Sequence, residues 1–236
     1  MIAALGWGVL AASSLVVGAV LALVRPWSRR ALGLVLGFGA GALIASVSFE
    51  LAEEGFRIGS ALGVAFGLAL GGVTFVTADR LVERWGGRSG GSAAGVPLAV
   101  GAFLDGIPEQ AVLGIGIASG DGVSAALVVA IFASNLPEAI GSAADMRSAG
   151  RSSRSVVGLW TVVAACCALA TLGGTALAGA VSSDAQAFVD GFAAGALLTM
   201  LVDSMVPEAK DKAKDWAGLA TVAGFALAAG LSLLTG

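Results

Sequence analysis

The chain has 236 residues, of which 57% are apolar and only 12% charged, with 36 glycines, no histidine and no tyrosine. Soluble domains carry about 25% charged residues, so this composition excludes a globular soluble protein: the charges are too few to cover a wet surface, and they are clustered. The net charge of −3 gives no sign of a nucleic-acid partner.

A bilayer span takes about 20 apolar residues, and eight such segments follow one another, at 2–24, 31–52, 58–78, 95–118, 122–144, 156–181, 187–207 and 217–235. The first lacks a basic start and runs apolar too far for a cleaved signal, so it is expected to be a retained span. Spans two, four, five and seven contain acidic residues. Residues 79–94, with Trp85-Gly86-Gly87-Arg88-Ser89-Gly90-Gly91-Ser92, read as a flexible linker between the first three spans (1–78), a central pair (95–145) and the last three (156–236). Cys166 and Cys167 are neighbours in an apolar stretch and point in different directions, which leaves them as small buried residues rather than a local disulfide.

The basic residues fix the direction of the spans. Of 13 Lys and Arg, all but Arg57 fall in odd-numbered loops: Arg25, Arg29 and Arg30 after span one; Arg80, Arg84 and Arg88 after span three; Arg147, Arg151 and Arg154 after span five; Lys210, Lys212 and Lys214 after span seven. Cytoplasmic loops carry the excess of positive charge, so the odd loops are expected inside and both termini outside. Trp27, Trp85, Trp160 and Trp216 lie near the same ends, as an interfacial aromatic belt would.

Two internal matches indicate a repeat. GFGAGALIASVSFELAEEG from Gly37 matches GFAAGALLTMLVDSMVPEA from Gly191, and FLDGIPEQ from Phe103 matches FASNLPEA from Phe132. The paired segments are spans two and seven, and spans four and five, which cross in opposite directions. The expected fold is therefore an all-α polytopic membrane protein of about eight spans in a 3+2+3 inverted-repeat arrangement, a plan common in secondary transporters. Pro108 and Pro137 interrupt spans four and five, and each frees the carbonyl four residues earlier, at Leu104 and Ala133, for a cation, water or a packed helix. Glycines every fourth residue in span three (Gly59, Gly63, Gly67, Gly71) and span two (Gly33, Gly37, Gly41) are read as close helix contacts, not ligands.

Carboxylates inside a bilayer cost at least about 2.5 kcal/mol each on insertion scales. Asp105 and Glu109 share one helical face, as do Ser134 and Glu138, with Asn135 three residues before Glu138. Together these oxygens could hold a divalent cation; the alternative is protonated acids that serve only as interhelical hydrogen bonds. Glu50 and Asp203, within spans two and seven, could complete the site or form a relay; Glu53, Glu54 and Glu208 read as solvated caps, Asp121, Asp184 and Asp190 as acids toward the outer face that merely attract cations, and Asp145 as a surface ion-pair residue.

Eight spans, a linker after span three and Pro-Glu motifs in spans four and five resemble the ZIP (Zrt/Irt-like) metal transporters. The resemblance implies transport of a divalent metal of the zinc, manganese or iron class by alternating access, in a homodimer. It also implies a cell-membrane location, taken as the bacterial inner membrane, with lipid around the chain and no prosthetic group; the metal is cargo. In the family span four typically reads His-Asn-x-Pro-Glu-Gly. Here Asp105, Gly106 and Gln110 replace the histidine, asparagine and glycine, and in span five Asn135 and Ala139 replace an acid and a glycine, while Glu109 and Glu138 remain. An all-oxygen set suits Mn²⁺, Mg²⁺ or Fe²⁺ better than zinc, and one metal position is expected rather than two. Binding should weaken on acidification, since ligation needs ionised carboxylates.

Other readings are a ZIP-like protein that moves protons or another solute, one with a sensory or scaffold role, an ion channel, and an intramembrane aspartyl hydrolase using Asp105 and Asp203. The last lacks a Gly-x-Gly-Asp context, no Walker motif is present, and the chain is not expected to be an enzyme.

Overall fold

The computed structural model describes residues 1–86, 95–118, 125–178 and 182–235, and the regular structure among them is helical throughout. Long helices follow in order: α1 (Ile2–Val24), α2 (Arg29–Ile58), α3 (Ala61–Gly86), α4 (Gly95–Ala118), α5 (Ala125–Ser148), α6 (Ser153–Ala178), α7 (Ser183–Ala213) and α8 (Trp216–Thr235). Among the described residues, seven of these are long and apolar enough to cross a membrane, and α4 adds another helix of 24 residues. The chain is a polytopic membrane protein.

Local chemistry sets the helix ends. Ser28 caps α2 by accepting from the Ala31 N–H at 3.1 Å, Ser152 caps α6 from Ser155, and Ser182 caps α7 from Ala185 at 3.4 Å. After α5 the chain reverses at Gly150, whose φ of 86° falls in the left-handed region that glycine adopts without strain. Arg25 lies over Trp27 and Arg30 over Trp216, each 5.0 Å from the ring centroid, which suits rings at a membrane interface.

Several boundaries differ from the sequence expectation. At 30 and 31 residues, α2 and α7 are about 45 Å long, enough to cross the headgroup regions as well as the hydrocarbon. They run through Glu53, Glu54 and Arg57, and through Glu208, Lys210 and Lys212, because charge at the wet end of a helix does not stop it. Likewise α3 continues to Gly86, so residues 79–86 of the expected linker are helical; residues 87–94 lie outside the described residues, as does Asp121. Trp160 is not an interfacial ring: it is fully buried, packed with Leu15 of α1, Ala139 and Met146 of α5 and Val163 of α6.

Glycine determines which helices meet. The closest packing joins α2 to α8, α3 to α7, α4 to α6 and α1 to both α5 and α6. A Cβ on Gly41 would overlap the Thr221 carbonyl of α8, and one on Gly195 would overlap the Leu68 carbonyl of α3. Gly224 lies against the Phe38 carbonyl, and Gly71 against that of Phe192. Backbones approach this closely only where side chains are absent, and in lipid such packing, not hydrophobicity, holds helices together. The contacts run in register, Gly37 to Ala217 and Gly41 to Thr221, so α2 and α8 are parallel, as the five helices between them require.

Both α2 and α7 contain a π-helical turn, at Val47–Ala52 and Leu201–Met205. Residues 47 and 201 are 154 apart, as are Gly37 and Gly191, so the irregularity recurs at matched positions. Each π turn inserts a residue and changes which side chains face inward, a device frequent at functional sites.

Candidate metal site

The two Pro-Glu motifs meet inside the bundle. A cavity of about 50 Å³ lies between α2, α4, α5 and α7, lined by Leu36, Glu109, Ser134, Glu138, Met200, Ser204, Met205 and Glu208. A space of this size holds an ion with some water, since one water needs about 10–15 Å³ by the same kind of measure.

Glu109 on α4 is 1% exposed. Its Oε1 lies 3.2 Å from the Ser134 hydroxyl, which also lies 3.0 Å from the Ile131 carbonyl. The single hydroxyl hydrogen serves one acceptor at a time. Oε2 of Glu109 has no hydrogen-bond partner. A buried carboxylate oxygen left so is costly. Glu138 is partly buried on the cavity wall, one turn after Ser134.

The remaining polar residues divide by role. Asn135 is buried, with Nδ2 unpartnered, and does not line the cavity. Gln110 is fully buried and accepts a 2.6 Å bond from the Thr171 hydroxyl, tying α4 to α6. Gly106 faces α6, where a Cβ would come within 2.7 Å of Cys167 Sγ, so this position is a packing contact. Behind the Pro137 break, Gly39 of α2 lies against the Ala133 carbonyl, so a packed helix covers the freed group.

Not every expected residue reaches the cavity. Asp203 lies exposed on α7 and is not on the wall. Glu50 and Asp105 lie on α2 and α4, but their side chains fall outside the described residues. Among the described residues no group of three His, Cys, Asp or Glu side chains is placed to hold a metal. Glu208 is no mere solvated cap, since it forms part of the wall and pairs with Lys212 at 2.5 Å. Asp190 is buried, at 2% exposed, and neither carboxylate oxygen has a partner.

Sequence reasoning missed Met200, Ser204 and Met205 as wall residues. Their signal was present in the repeat, because residues 200–208 of α7 match the acid-bearing stretch 46–54 of α2.

No protein-family model matches the chain. Over 185 residues, 75% of its length, it is 28% identical to an Arabidopsis thaliana protein called "Putative zinc transporter At3g08650". The chain spans only 30% of that protein's length.

Proposed function

We propose that this chain is a ZIP-like permease that carries a divalent metal cation across the membrane through a carboxylate site between α4 and α5. The observation that carries the reading is the meeting of Glu109, Ser134 and Glu138 on one cavity, with an oxygen of the buried Glu109 uncommitted. The likeness to a plant protein named for zinc transport supports it. In this reading Asp105 and Glu50 supply further oxygens beside Asn135, and Ser204 and Glu208 form the path out.

Alternating access by an inverted repeat is part of the proposal. Its support is the mirrored use of glycine, in which Gly37 and Gly41 against α8 correspond to Gly191 and Gly195 against α3, and the matched π turns. With the basic odd loops inside, Glu208 and Lys212 mark the cytoplasmic mouth, and the conformation is inward-facing. The carboxylate and hydroxyl donors favour Mn²⁺ and Fe²⁺, while Met200 and Met205 on the same wall bring thioether sulfur, a softer group, to the cavity. A homodimer in the bacterial inner membrane completes the reading.

The test is uptake into sealed proteoliposomes with Mn²⁺, Fe²⁺, Zn²⁺, Cd²⁺ and Mg²⁺ in competition, with Glu138→Ala as the control. The expected result is saturable flux that the control loses. Absence of flux for every ion, from protein shown to be folded, would overturn the permease reading and leave a scaffold or sensory role.

A further inference from the structure

Asp190 has no part in the site just described. It lies on α7, well before the π turn, in the half of the helix away from Lys210, Lys212 and Lys214. An unsatisfied buried carboxylate is destabilising, because nothing replaces the hydrogen bonds it made with water. Its surroundings show what could satisfy it. The segment of α2 after its own π turn packs on this part of α7, and a Cβ on Gly55 would lie 3.6 Å from that of Asp190. The absence of a side chain at Gly55 lets the helices close together here, since the same Cβ would also lie 3.1 Å from Val64 Cγ2. Glu54, next in sequence to Gly55, lies on the same turn of α2. Glu54 is itself held by Arg57 through two bonds of 2.6 Å, whereas Asp190 receives no such bond.

The repeat gives this pair a counterpart. Shifting by the 154 residues that relate Gly37 to Gly191 takes Glu54 to Glu208 and Leu36 to Asp190. Glu208 and Leu36 both line the inner cavity. Asp190 and Glu54 therefore hold, toward the opposite face, the places that Leu36 and Glu208 hold at the inner mouth. Each glutamate is paired with a basic residue up to one turn further on, Arg57 outside and Lys212 inside.

We propose that Asp190 and Glu54 form a second divalent-cation site at the outer mouth, separate from the Glu109–Glu138 site. Two carboxylates beside each other repel, and a doubly charged ion with retained water relieves both the repulsion and the missing partners of Asp190. Arg57 serves as the tethered cation that holds Glu54 while the site is empty. The site's part in transport rests on the permease reading, but its existence as a binding site does not.

The test counts bound Mn²⁺ by electron paramagnetic resonance, on the purified full chain in lipid nanodiscs. Wild type is expected to bind two classes of ion. Asp190→Asn, nearly the same shape, and Asp190→Leu, the residue of the repeat partner, should each lose one class. Glu54→Gln should weaken that class at least about tenfold. Glu109→Gln should lose the other class and keep the outer one. Undiminished Mn²⁺ binding in both Asp190 variants would overturn the outer site. Loss with the Asp190 variants but none with Glu109→Gln would uphold the outer site and sink the central one.

Discussion

Adding one methyl group to a helix normally helps it, and the glycine contacts reverse that expectation at defined positions. In a helix interior, Gly→Ala gains about 0.5–1 kcal/mol from backbone entropy. At Gly41, Gly71, Gly195 and Gly224 the new Cβ would overlap a carbonyl of the neighbouring helix, so the helices must part. Overpacking of this kind costs about 1–3 kcal/mol, so the balance runs from near zero to a loss of about 2.5 kcal/mol each. For a chain of this size that is a fall in melting temperature of up to about 10 °C. Gly116, Gly158, Gly173 and Gly218 have nothing within 4 Å of the same position, and their Ala variants should melt at or slightly above the wild-type temperature. The assay is thermal unfolding of purified protein in one detergent, followed by tryptophan fluorescence. If the two sets melt alike, the glycines do not set the helix contacts. Gly71→Ala and Gly224→Ala should lose about the same amount, since both meet a phenylalanine carbonyl; a large inequality would refute the mirrored packing.

Thr171→Val should lower stability by about 1–3 kcal/mol, because it strips buried Gln110 of its bond; adding Gln110→Leu should restore most of the loss, and failure to do so in a melting experiment would deny the pair its role between α4 and α6. Lys212→Gln should lower the half-saturating cation concentration measured from the inner side, by freeing Glu208, while Lys212→Arg should not; equal values for all three would leave the pair an inert surface contact. The half-saturating concentration should be lower from the outer side than from the inner, and Asp190→Leu should bring the two together, which side-resolved uptake in oriented vesicles reads directly.

The spans were legible because bilayer thickness and the cost of charge leave few alternatives. Segments 2–24 and 95–118 coincide with α1 and α4, and the errors lie at wet ends, where Glu53, Arg57 and Lys212 continue a helix that hydropathy alone would stop. Glu109, Ser134 and Glu138 could be grouped from sequence because the Pro-Glu repeat sets them at matched depth. Other features could not be read so. Whether Asp190 is wet or buried depends on Gly55, Val64 and α2 closing over it, and no local pattern records that. Trp160 was misplaced for a related reason: its distance from the helix end suits an interface, but its direction, toward α1 and α5, is tertiary. The π turns carry no Pro or Gly marker in VSFELA or LVDSM. Glu208 reaches the cavity from the end of a span, a position that reads as solvated in sequence.

The repeat, as proposed, builds two mouths on one scaffold and then gives them different chemistry. At one pair of matched positions both mouths carry a glutamate with a basic partner; at another, one has Asp190 and the other Leu36. This difference cannot set the direction of net transport. A carrier without an energy source moves cargo down its gradient whatever the affinities of its faces, since a ligand shifts a conformational equilibrium only by its differential affinity for the two states. What the asymmetry can set is occupancy. A charged outer mouth gathers a scarce cation and holds it until the central carboxylates are exposed to that side. An inner mouth with leucine in the equivalent place, and with Lys212 competing for Glu208, holds it less well and lets it go. The buried, unpartnered Asp190 is then intelligible as stability given up at the outer face so that capture and release need not occur with equal ease.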